Sequence, residues 1–187
     1  MRLLRLLIYN AILTLILESS TVNAQGTSVH FGIYDFVGST ASEFYVLAPA
    51  VLAGFNAWKS SQLVLRLNTG LSFNMTRYNG HYHYLYMTPV MTTFYYNLPN
   101  PESKVWPSVG MGAGLLGKAD QNRDYDKTHY SLAYGFHTTG RLNFPLRDEL
   151  VLTFDMTFNL IIPPVMEDVN LSGVLLTAGL IFPSKNK

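Results

Sequence analysis

The 187-residue sequence contains no cysteine, so disulfides, thiolate metal centres and cysteine nucleophiles are excluded. Charge is scarce: Asp, Glu, Lys and Arg make up 13% of the chain, against about 25% in ordinary soluble domains. The formal net charge is only +1. With no basic stripe interleaved with aromatics, nothing points to nucleic acid. Long hydrophobic runs are missing too. The apolar stretch LLIYNAILTLIL at 6–17 has 12 residues, whereas a membrane-spanning helix needs about 20. No later segment reaches that length without a polar or charged break. No linker, low-complexity run or second domain stands out. What is abundant is apolar and aromatic: 48% hydrophobic residues, with 12 Tyr and 11 Phe.

The N-terminus has the layout of a signal peptide. Arg2 and Arg5 precede the apolar stretch, ESSTVNA follows it, and Val22 and Ala24 sit three and one residues before a cut at Gln25. Residues 1–24 are therefore expected to be removed on export, leaving 187 − 24 = 163 residues (25–187) as one domain.

From Thr27 onward apolar residues recur with period 2, which is the strand signal. Leu63, Leu65, Leu67, Leu71, Phe73 and Met75 share one face, against Arg66, Asn68, Gly70, Ser72, Asn74 and Thr76 on the other. Leu152, Phe154, Met156, Phe158 and Leu160 alternate in the same way with Thr153, Asp155, Thr157 and Asn159. Strands are expected near 28–36, 44–56, 62–77, 83–97, 105–118, 129–144, 150–162 and 171–182. The fourth, HYLYMTPVMTTFYYN, is apolar on both faces, and its orientation is ambiguous. The fifth carries Gly110, Gly112 and Gly114 on one face, which leaves space inside or permits a bend. The connections alternate. AWKSSQ, LPNPES and PLRDE are short; GSTASE, RYNGHY, ADQNRDYDK and PPVMEDVN are mostly longer and more polar. Short turns at one end and longer loops at the other are the membrane-barrel pattern.

A soluble lipocalin-like barrel with an inward apolar face and a ligand cavity also alternates. Its outer face, however, carries many Lys and Glu. Here the polar faces hold mostly Asn, Ser, Thr and Gly, which suits a lumen whose groups satisfy one another. The aromatics Tyr84, Tyr86, Phe94 and Tyr96 lie at the ends of an apolar face, where a barrel's interfacial girdles fall.

The signal peptide, the eight alternating strands and the final strand GVLLTAGLIF resemble the small OmpA/OmpX-type outer-membrane barrels, across residues 27–182. The resemblance implies an all-β, eight-stranded antiparallel up-and-down transmembrane barrel in the bacterial outer membrane. It implies a non-enzymatic structural or surface-interaction role, a monomer and no cofactor. The implied partners are outer-membrane lipid, the barrel assembly machinery and an unidentified surface ligand at the outer loops. Phe182 matches the aromatic that ends the last strand in such families; the tail PSKNK extends beyond it.

A lumen network of Arg66, Asn68, Asn74, Arg141 and Asp155 is the expected polar feature. A hairpin centred near residue 148 places Arg141 opposite Asp155 and Phe144 opposite Leu152. An ion pair filling a narrow lumen explains these residues better than an ion path, because eight strands leave little more room than side chains occupy. No catalytic residue or metal ligand is expected. The alternative is His129 and Ser131 in HYSLA, which resemble the His-x-Ser element of outer-membrane lipid A deacylases. There Ser attacks the ester, His takes its proton and an acid orients His; Asp155 or Glu149 would be that acid. The chain departs from that pattern at Leu132, where the family has Asn. His81 and His83 share a face but lack an evident third metal ligand. ADQNRDYDK lacks the spacing and glycine of a calcium loop, and GMGAGLLG opens no helix.

Overall fold

A computed structural model of the chain describes residues 26–38, 41, 45, 47–78, 80–98, 104–122, 127–147, 150–162 and 170–183. The proposed signal peptide lies outside them. Eight strands follow in chain order: β1 (Gly26–Phe36), β2 (Leu47–Lys59), β3 (Leu63–Tyr78), β4 (His81–Asn97), β5 (Trp106–Asn122), β6 (Lys127–Arg147), β7 (Leu150–Ile162) and β8 (Gly173–Pro183). Each pairs antiparallel with its neighbours in sequence. β1 pairs with β8 from Gly26 opposite Pro183 to Phe36 opposite Gly173, so the sheet closes into a barrel. The expected elements are present, with ends displaced by a few residues.

The alternation sorts side chains to two sides of the wall. Phe31, Val51, Leu71, Phe94, Met111, Leu132, Phe136, Phe154, Phe158 and Leu160 point outward and are exposed. Ser28, His30, Asn56, Arg66, Thr93, Ser108, Asn143, Thr153 and Thr157 point inward and are buried. The molecule is apolar outside and largely polar inside, the reverse of a soluble domain. Rings gather toward both ends of the outer wall: Trp58, Phe94, Tyr96 and Phe182 at the end holding the chain termini, and Tyr82, Tyr86, Tyr130 and Tyr134 at the other.

The ambiguous fourth strand is settled by packing. Leu85, Met87 and Tyr95 point inward and are buried, while Tyr86, Val90, Phe94 and Tyr96 point outward. Both faces are apolar because the lumen at the far end is itself apolar. There Tyr34, Phe36, Tyr45, Leu116, Leu171 and Leu175 pack with Leu85 and Met87. Tyr34 donates to the Leu171 carbonyl at 2.8 Å, and Tyr45, in the connection after β1, donates to Asp120 at 3.2 Å. Burial, reinforced by the Asp120 carboxylate, holds the Tyr45 phenol well above its ordinary range, so it stays a donor.

Two connections differ from expectation. RYNGHY and ADQNRDYDK are not long loops. β3 and β4 meet at Gly80, whose φ of +84° suits a tight hairpin turn, with Tyr78 opposite His81. β5 and β6 stay paired out to Asn122 opposite Lys127. Because His83 lies opposite Asn122, β4, β5 and β6 share one raised sheet, whereas the β6–β7 ladder stops at Tyr134 opposite Ile162. Polar residues extend these strands where no apolar contrast marks them.

Two local irregularities have chemical causes. The β2–β3 register shifts between Asn56 and Trp58, a bulge that re-aims Trp58 to the outer wall beside Leu65. Pro89 has no amide proton, and the β3–β4 ladder passes from Thr69 opposite Val90 to Ser72 opposite Met87 without pairing Gly70 or Leu71.

The inward glycines of β5 leave the expected space, and neighbouring rings fill it. A Cβ on Gly112 would sit 2.7 Å from the His137 ring and against the Thr92 carbonyl; one on Gly110 would sit 3.0 Å from the Tyr95 ring. At Gly140, on the outer wall, a Cβ meets nothing within 4 Å. Gly112→Ala should therefore cost about 1–3 kcal/mol through overpacking, and Gly140→Ala under about 0.5 kcal/mol. Urea unfolding of the refolded barrel in lipid vesicles measures both; equal midpoint shifts would contradict this packing.

Candidate functional site

The chemistry-bearing side chains concentrate in the lumen half nearer the chain termini, where inward positions are polar. β6 and β7 place Arg141 directly opposite Asp155, and Phe144 opposite Leu152, the register the sequence suggests. Arg141 Nε donates to Asp155 Oδ1 at 2.5 Å and Nη2 to Oδ2 at 2.7 Å, a bidentate pair. Nη2 also donates to the Tyr95 hydroxyl at 2.9 Å, and the guanidinium carbon lies 4.1 Å from the Tyr95 ring centroid. His30 Nδ1 comes within 3.3 Å of Asp155 Oδ2 without hydrogen-bond alignment. One carboxylate from β7 thus gathers groups from β1 and β6, with β4 attached through Arg141.

Neutral groups complete the layers on either side. Thr157 donates to Thr139 at 2.9 Å, and Thr93 and His137 Nε2 share a hydrogen bond of 2.8 Å. Nearer the terminal mouth, Asn143 donates to Ser108 at 2.8 Å, and Ser108 donates to Asn97 at 2.7 Å. The remaining space is small. A void of about 20 Å³ with a mixed polar and apolar lining lies among His30, Leu52, Asn68, Met91, Asp155 and Thr177. A mostly apolar one of about 40 Å³ lies higher, among Tyr34, Leu52, Met87, Met91, Leu116 and Leu175. A single water needs about 10–15 Å³ by this measure, so these are water-sized voids and not a channel.

The five lumen residues singled out from the sequence all face inward, but they do not form one network. Arg141 and Asp155 pair. Asn68 borders the smaller void beside them. Asn74 lies farther along and donates to the Leu47 carbonyl, bracing β2 against β3. Arg66 is completely buried, and none of its guanidinium nitrogens has a hydrogen-bond partner among the described residues. The sequence gives no sign of His30 and Tyr95 as members of the Arg141 cluster. Their inward parity on β1 and β4 is the available signal, and β4 hides it by being apolar on both faces.

His129 and Ser131 lie on the raised part of β6, opposite Asp120 and Lys118 on β5. His129 is exposed, and Ser131 is half-buried. Asp155 cannot serve them as an acid: it is committed to Arg141 deep in the lumen, and Glu149 lies outside the described residues. The acid across the ladder is Asp120, whose carboxylate accepts from Tyr45. Among the described residues no group of three His, Asp or Glu is placed to hold a metal ion.

No protein-family model and no curated protein matches the chain. Solved structures do. Neisserial surface protein A superposes with a TM-score of 0.62 at 13% identity, covering 85% of this chain and 96% of its own. OprG of Pseudomonas aeruginosa gives 0.64 at 10%, covering 87% and 98%. Ail, the attachment invasion locus protein of Yersinia pestis, gives 0.52 at 11%, covering 85% and 99%.

Losing one partner of a buried ion pair strands the other. Asp155→Asn should cost about 3–5 kcal/mol, whereas the double change Arg141→Met with Asp155→Leu should cost less than the single one. Refolding yield and urea midpoints of both variants check this; a double variant that is the weaker of the two would contradict the pairing. The chain has the closed eight-stranded barrel fold of these small outer-membrane proteins.

Proposed function

We propose that the chain is an integral outer-membrane protein, exported with residues 1–24 as a cleaved signal peptide, whose barrel is a sealed, non-enzymatic scaffold. The observation that carries this reading is the inverted wall. Phe31, Phe94, Met111, Leu132, Phe136, Phe158 and Leu160 are each more than half exposed. A contiguous apolar belt of this kind is not left against water. In a bilayer it meets hydrocarbon, and the aromatics toward either end fall at the two interfaces. The fold likeness to outer-membrane barrels supports the same location.

A lipocalin-like ligand barrel needs the apolar face turned inward around a cavity. Here that face is outside, and the lumen voids hold little more than water. Transport through the lumen is opposed by the apolar packing of Phe36, Tyr45, Leu85, Met87 and Leu171 at one end. The parts free to act are those beyond the membrane. The raised sheet of β3–β6 presents Arg77, His81 and His83, with the Arg77 guanidinium 5.6 Å from the Tyr82 ring centroid. A surface-interaction role through this sheet and the neighbouring connections fits a monomeric barrel.

Expression in a Gram-negative host should place the mature chain, beginning at Gln25, in the outer-membrane fraction. It should migrate faster unboiled than boiled. A soluble periplasmic product with no heat-dependent shift would overturn the reading. Lipid A from expressing cells should have the same acyl-chain mass spectrum whether the chain carries Ser131 or Ser131→Ala; an acyl loss that depends on Ser131 would favour the deacylase instead.

A further inference from the structure

Arg77 is a charge set at the edge of the apolar wall, and the barrel's own contacts use only part of it. It ends a run of outward residues on β3. Phe73, Met75 and Arg77 lie directly opposite Tyr86, Tyr84 and Tyr82 of β4. The Phe73 ring stacks on Tyr84 with centroids 6.2 Å apart and tilts against Tyr86 at 5.1 Å. Met75 beside them is exposed. Two strands thus present one apolar and aromatic strip, running toward the end away from the chain termini, and a guanidinium caps it. An outward arginine is costly at the bilayer midplane and tolerated at the interface, where tyrosines gather. The strip therefore ends at the height of lipid headgroups.

The surroundings of Arg77 suit an anion. The side chain is exposed. Nε donates to the Gly80 carbonyl at 3.4 Å, and the guanidinium carbon lies 5.6 Å from the Tyr82 ring centroid, which holds the group along the wall. Nη1 and Nη2 have no partner among the described residues. Their N–H donors form a planar fork that matches two oxygens of one phosphate. The other charged outward residue at this end, among those described, is Asp35 of β1. It stands beyond β2, at least two strand spacings or about 10 Å away. The two form no ion pair.

We propose that Arg77, steadied by Tyr82, docks a phosphate of an outer-leaflet lipid headgroup, with an acyl chain lying along the strip of Phe73, Met75, Tyr84 and Tyr86. The inference rests on the outer-membrane reading above, in which the chain termini are periplasmic and this end meets the outer leaflet. The guanidinium supplies the charge and a bidentate contact. The strip beneath supplies apolar area for hydrocarbon, a contact that a free phosphate ion lacks.

The test uses the mature chain refolded in detergent micelles. Lipid A carrying its phosphates and lipid A stripped of them are the probes, and native mass spectrometry counts the bound lipid. Wild type should hold the phosphorylated form about tenfold more tightly, and Arg77→Gln should hold both forms alike. Inorganic phosphate should leave the lipid bound. No preference in wild type, or an equal preference in Arg77→Gln, would overturn the proposal, as would displacement of the lipid by inorganic phosphate. An exposed substitution of this kind leaves the fold intact, which the heat-dependent gel shift verifies. The same shift separates the two readings. A chain that inserts and shifts without a preference loses only this inference, whereas a soluble product with no shift loses the outer-membrane reading as well.

Discussion

In hydrocarbon no water is available to pair a backbone amide or carbonyl, and each unpaired group costs several kcal/mol. The ladder between β1 and β8 meets that constraint by leaving no strand edge along the wall. Closure then dictates the rest. Every residue of a strand must face either the outside or the lumen, and period-2 alternation becomes compulsory. Where the chain breaks the rule, it does so locally. The bulge before Trp58 keeps a large ring on the outer wall. Pro89 interrupts pairing with β3, yet remains in register with Leu116 of β5.

The lumen is narrow enough that its contents decide what passes. One half is filled by hydroxyls, amides and the Arg141–Asp155 pair, the other by Tyr34, Phe36, Leu85, Met87 and Leu171. The glycines of β5 show how tightly this is fitted: Gly110 and Gly112 give up their side chains so that Tyr95 and His137 can cross the interior. Packing of this kind leaves only water-sized voids in the lumen among the described residues.

Much of this was legible in the sequence, for a physical reason. Where one face of a strand is apolar and turned outward and the other meets a polar lumen, as in β3 and β7, alternation is sharp. There even the pairing of Arg141 with Asp155 follows from the turn position. β4 resisted reading because Leu85 and Met87 face an interior as apolar as the exterior, and Tyr95 turns its ring inward onto Arg141. The raised hairpins resisted for the opposite reason. Residues 120–122 and 127–129 are polar at every position, so nothing in their pattern separates strand from loop. The isolation of Arg66 depends on where neighbours from other strands end, which no single segment records. Tyr45 and Leu171 fold into the lumen mouth from connections that carry no periodic signal.

The inverted wall is the central claim, and the absence of cysteine makes it directly measurable. Single cysteines placed one at a time from Leu152 to Leu160 in β7 can carry spin labels in lipid vesicles. Their collision rates with oxygen and with a water-soluble nickel chelate then report the surroundings. An inverted barrel predicts high oxygen access at 154, 156, 158 and 160, and low access to both reagents at 153, 155 and 157. Nickel access at the even positions, with the odd positions facing solvent, would contradict it.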